Sequence, residues 1–133
     1  MIAAPRQRLR RRDRLRKRRD YERVSREGMR VSTQCFLMLV ADRFPASDQS
    51  SSPRLGLTVS RRVGGSVVRS RVKRHIREWF RRARCVLPER RDVVVIARPA
   101  AAALSHDGIA RELAEAADRL RSRIGNPQAR PTR

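Results

Sequence analysis

This chain is short of acids, lysine, aromatics and cysteine. Thirteen Asp and Glu face 34 Arg and Lys over 133 residues, a formal net charge of +21. So few carboxylates, scattered singly apart from Glu89 and Asp92, offer no cluster to hold the metal ions of a protein nuclease. Aromatic residues make up 4% of the chain. A membrane-lying helix needs anchoring aromatics on a broad apolar face, and the basic N-terminus has only Ile2, Leu9 and Leu15. Two cysteines, Cys35 and Cys85, make no disulfide framework, and with His75 and His106 they lack zinc-site spacing. Apolar runs as long as a membrane span are missing too, CFLMLVA and DVVVIA being the longest, and no apolar segment follows the basic start. These features predict a cytoplasmic protein with its thiols reduced.

The positive charge is localised. Residues 1–19 carry ten bases and one acid, and residues 66–84 carry eight and one, whereas residues 85–124 carry seven bases against six acids. Uneven charge of this kind marks a polyanion-binding footprint, here nucleic acid. Of the basic residues only Lys17 and Lys73 are lysine, a bias that a GC-rich genome explains as well as any contact does.

The segment RRVGGSVVRSRVKRHIREWFRR, Arg61 to Arg82, is the most telling. At 100° per residue Val68, Val72, Ile76, Trp79, Phe80 and Ala83 form one apolar arc for the core. Lys73, Arg74, Arg77, Arg81, Arg71 and Arg82 fill most of the rest, relieved only by Glu78 and His75. Like charges three and four residues apart repel, so an external polyanion is the simplest reason to keep them. Gly64 and Gly65 lead into the helix N-terminus as a phosphate cradle would, but the full P-loop pattern is missing.

Elsewhere the pattern predicts an arginine-rich, disordered arm over residues 1–18, one domain over 19–124 and a tail over 125–133. Within the domain it predicts a helix from Asp20 to Glu27 ending at Gly28, and a strand over 35–41 that is apolar on both faces. A flexible loop from Asp42 to Pro53 precedes a strand in RLGLTVSRR, where Leu55, Leu57 and Val59 alternate with polar residues. A central strand over 92–97 follows, then a helix capped by Ser105 or Asp107 with Ile109, Leu113, Ala117, Leu120 and Ile124 at core spacing. His75 and His106 read as surface or cap residues.

LRKRRDYERV, GLTVSRR, VGGSVVRSRVKRHIREWFR and DVVVIARP, in this order, resemble the protein component of bacterial ribonuclease P from about Leu15 to Leu120. Arg69, Arg71, Lys73, Arg74, Arg77 and Glu78 fall in register with that family's helix motif. The resemblance implies an α+β sandwich with a mostly antiparallel central sheet, αβββαβα order, and a left-handed βαβ crossover carrying the basic helix, against the usual hand. It implies a non-catalytic subunit of an RNA-based endoribonuclease, binding the catalytic RNA and the 5′ leader of precursor tRNA. On this reading the protein alone binds no cofactor and no metal, Mg²⁺ belongs to the RNA-containing holoenzyme, and no protein partner is required. RNA contacts then fall to Arg62, Arg69, Ser70, Arg71, Lys73, Arg74, Arg77 and Arg81, and the leader cleft to Tyr21, Phe36 and Lys73. Phe36 reads equally as core. The chain departs from the family where Ser70 replaces the usual asparagine and where Ser25 and Leu39 occupy expected aromatic positions. A ribosomal or general RNA-binding protein, and more remotely a DNA-packaging protein, share the charge.

Overall fold

The computed structural model describes residues 13–42, 53–83, 87 and 90–124. The expected loop, Cys85, the first twelve residues and the tail lie wholly or largely outside them. Chain order is α1 (Arg18–Glu27), β1 (Met29–Ser32), β2 (Phe36–Asp42), β3 (Arg54–Thr58), α2 (Ser66–Ala83), β4 (Arg91–Ala97), a 3-10 turn (Pro99–Ala103) and α3 (His106–Ile124). The strands form one sheet in the order β1-β2-β4-β3. β2 is antiparallel to both β1 and β4, and β3 is parallel to β4, with Leu55 opposite Val93. A parallel neighbour needs a crossover, and α2 supplies it.

Alternation along the strands divides the core between two faces. Met38, Val40, Val93 and Val95 join Val72, Ile76 and Phe80 of α2 and Ile109, Leu113 and Leu120 of α3. On the opposite face Leu39, Ala41 and Val94 meet Leu15 and Val24, with Tyr21 packed against them. The apolar arc of α2 is buried as its spacing requires, Val72 and Ile76 at 0% exposure. Ser105 caps α3 by accepting the Gly108 N–H at 3.0 Å.

Four differences from the sequence reading have local causes. β1 has four residues, too few to show a period. β3 stops at Thr58 because Ser60 to Gly64 turn instead, the Val63 N–H bonding the Ser60 carbonyl at 3.1 Å. Gly28 ends α1 through space rather than through a left-handed backbone: its φ is −76°, and a Cβ there would lie 2.4 Å from the Val24 carbonyl oxygen. Lastly, residues 13–17, assigned to the arm, belong to the fold. Leu15 is buried, its N–H donates to the Leu55 carbonyl at 2.9 Å, and Arg14 bridges Leu55 in parallel, so the segment covers the free edge of β3.

One acid ties these parts together. Asp92 of β4, fully buried, accepts from Arg54 Nε at 2.8 Å and Nη2 at 2.9 Å, and from Arg23 of α1. Arg23 also donates to the Asp42 carbonyl at 2.5 Å. Cys35 is buried, and its thiol pKa is pushed up to about 11 by burial and by the Glu112 carboxylate, which leaves it unreactive.

Asp92→Ala should lower stability by about 3–5 kcal/mol, since a buried arginine loses its counter-charge. A denaturant midpoint within error of the parent's would contradict this role. Val72→Asp, which puts a carboxylate in the α2 arc, should abolish the cooperative melt; a normal transition would show the core face to be misassigned.

Candidate nucleic-acid interface

Tyr21 lies on α1 one turn after its start, and Gly56 lies beneath it on β3. A Cβ at Gly56 would come within 2.9 Å of Cε1 and Cζ of the ring, so the missing side chain is what lets the ring lie on the strand. The hydroxyl donates to the Leu15 carbonyl at 3.3 Å and accepts the Leu57 N–H at 3.1 Å. The hydroxyl end of the ring is thereby fixed.

Tyr21 opens on a groove of about 200 Å³, whose other polar lining residues are Arg14, Arg16, Lys73 and Arg77. No acid lines it. Arg77 is half-buried, and burial first, then repulsion from Arg14, holds its guanidinium pKa below the ordinary arginine value. An anion between the two would relieve that repulsion. Four cations from two segments and one immobilised phenol suit a nucleotide chain, whose phosphates take the charges and whose bases stack.

The eight residues assigned to RNA by the motif do not form one surface. Arg62, Ser70 and Arg74 are exposed and point outward from the turn and the helix. Lys73 and Arg77 line the groove on one flank of α2. Arg69 donates from Nε to the Gly64 carbonyl at 3.2 Å, which locks the turn into the helix. Arg71 sits on the other flank and donates to the carbonyls of Ala102 at 2.8 Å and Leu104 at 3.3 Å. Its guanidinium is a clasp on the 3-10 turn. Arg81 pairs with Glu78, which also meets Arg82 at 3.3 Å. Those arginines hold the Glu78 carboxyl below the usual carboxylate range.

Phe36 is a correction to the cleft assignment. It is at 0% exposure in the core beneath α3, whereas Tyr21 packs on the opposite face with Leu37 and Leu39. A strand apolar on both faces gives no sign of which residue faces which helix. Leu39 is itself buried and Ser25 is exposed, so Tyr21 is the aromatic residue of the groove. Sequence reading missed Arg14 and Arg16. Their signal was Leu15, an apolar residue between arginines, which anchors both beside the groove.

Among the described residues, no group of three or more His, Cys, Asp or Glu is placed to hold a metal ion, and no helix is long and apolar enough to cross a membrane.

A family model described as Ribonuclease P matches residues 9–121. The ribonuclease P protein component of Syntrophobacter fumaroxidans is 44% identical over 107 residues, 80% of this chain and 86% of that one. That of Thermotoga maritima is 41% identical over 88 residues, 66% and 71% of the two chains. Among solved structures, the Staphylococcus aureus RNase P protein superposes with a TM-score of 0.72 at 27% identity, covering 81% of this chain and 94% of that one. The Thermotoga maritima protein gives 0.69 at 30% identity, covering 80% and 96%. With the sheet order, the basic crossover helix and these likenesses in agreement, the chain belongs to the ribonuclease P protein family.

Proposed function

We propose that this component of an RNA-cleaving enzyme binds the catalytic RNA through the outward face of α2 and holds the 5′ leader of precursor tRNA in the Tyr21 groove. The observation that carries the leader assignment is the groove itself, a fixed aromatic ring among Arg14, Arg16, Lys73 and Arg77 with no acid among the described lining residues. On the α2 face, Arg62, Ser70 and Arg74 meet the catalytic RNA. The serine hydroxyl there offers one donor and an acceptor in place of an amide's paired set.

The protein's part is positioning. Four cations along the groove draw a phosphate chain in and fix its path, and the Tyr21 ring gives one base a platform that does not depend on its identity. Holding the leader fixes the scissile phosphate against the RNA subunit, and cleavage chemistry, with its Mg²⁺, belongs to that RNA. The protein binds no cofactor of its own in this reading and works in the cytoplasm without a protein partner.

Tyr21→Ala should weaken binding of leader-bearing precursor tRNA to the holoenzyme by about 1–3 kcal/mol while leaving mature tRNA nearly unaffected. Equal losses for both RNAs in a competition titration would refute the cleft. Arg62→Ala with Arg74→Ala should weaken binding to a bacterial ribonuclease P RNA and flatten log affinity against log salt by somewhat less than one per contact removed; an unaltered slope would mean that these arginines meet no phosphate.

A further inference from the structure

The cationic face of α2 has an aromatic recess on each flank, and only the Tyr21 groove has been assigned. The other is a crevice of about 170 Å³ between α2 and α3. Trp79 and Ala110 line it, with His75 and His106 beside them and Glu78 and Arg82 also in the lining. The two imidazoles meet edge to face, ring centres 4.6 Å apart and planes at 74°. The Arg71 clasp on the carbonyls of Ala102 and Leu104 fixes the turn that delivers His106 to α3, so the crevice is held at a set width.

Its chemistry differs from that of the groove. Burial first, then His106, Arg74 and Arg71, hold the His75 pKa below its ordinary value, which keeps that imidazole uncharged near neutral pH. Glu78, the acid of the lining, is neutralised by Arg81 and Arg82. An aromatic recess holding a neutral His75 and an acid already paired with arginine, at the margin of a cationic helix, fits a ligand that is flat and neutral but attached to a polyanion. Resting on the RNA-binding reading, we infer that the crevice takes one unstacked nucleobase of the partner RNA, lodged against Trp79 and the imidazoles while Arg74 and Arg82 meet the flanking phosphates. A sugar or phosphate alone would gain nothing from the apolar wall, and an acidic peptide would not need a ring-lined slot.

Trp79 is the only tryptophan in the chain, so it reports on its own surroundings. The full chain would be titrated with a bacterial ribonuclease P RNA, following Trp79 emission with 295 nm excitation and measuring affinity in parallel by filter binding across salt concentrations. The inference expects Trp79 emission to be quenched on binding. Ala110→Leu fills the crevice without touching charge; it should abolish the quench and weaken binding about 5- to 100-fold with an unaltered salt slope and a normal melt. His106→Ala, at the exposed start of α3, should give a smaller loss of the same kind if Ala110→Leu disturbs the fold. RNA binding without any change in Trp79 emission, or variants that melt normally and bind as the parent does, would overturn the inference. Failure of the parent to bind RNA by filter assay would instead contradict the RNA-binding reading itself.

Discussion

The structure depends on one buried carboxylate. Asp92 sits in the centre of a chain with 34 basic residues, and it joins Arg54 of β3 and Arg23 of α1 at a single point on β4. Helix α1 and the edge strand β3 are the two walls that bring Tyr21 over Gly56. A charge taken wholly out of water costs several kcal/mol, and it is tolerable here because both oxygens accept from guanidinium groups in good geometry. Such a site fixes register more than it adds stability: a hydrophobic residue of similar size would pack as well, but it would not dictate where Arg23, and hence Tyr21 two residues before it, must sit.

The same economy governs the other arginines. Several guanidinium groups act as hydrogen-bond donors to backbone carbonyls. Arg98 donates to the Thr33 carbonyl at 3.0 Å, Arg119 to that of Ser32 at 3.0 Å, and Arg123 to that of Arg30, so the short edge strand β1 is held by three guanidinium groups from β4's end and α3. Arg71 does the same for the 3-10 turn. Net charge therefore overstates the footprint, and the surface proposed to face RNA is the smaller set around Arg14, Arg16, Arg62, Lys73, Arg74 and Arg77. Arginine suits both tasks because its planar fork satisfies carbonyls and phosphates alike.

Periodicity made α2 and α3 legible, with Val72, Ile76, Phe80, Ile109 and Leu113 all where the wheel puts them, because long amphipathic helices repeat their signal several times. β4 was legible as an uninterrupted apolar run. What escaped has physical reasons. β1 spans barely two turns of the alternation. Phe36 could not be assigned to a face within a strand apolar on both. Leu15 lay in a run of arginine whose composition outweighed a single anchor. The motif showed which residues are special on α2, but which guanidinium faces solvent and which clasps a carbonyl depends on neighbours distant in sequence, as with Arg71 and Leu104.

The central claim is that this protein positions RNA for a cleavage carried out by RNA. Single-turnover cleavage of a leader-bearing precursor tRNA by a bacterial ribonuclease P RNA at low Mg²⁺, with and without the protein, tests it most directly. The account predicts strong stimulation by the parent and its loss when Lys73 and Arg77 are both replaced by alanine. Tight RNA binding with no stimulation of a matched RNA would contradict it and leave a general RNA-binding protein.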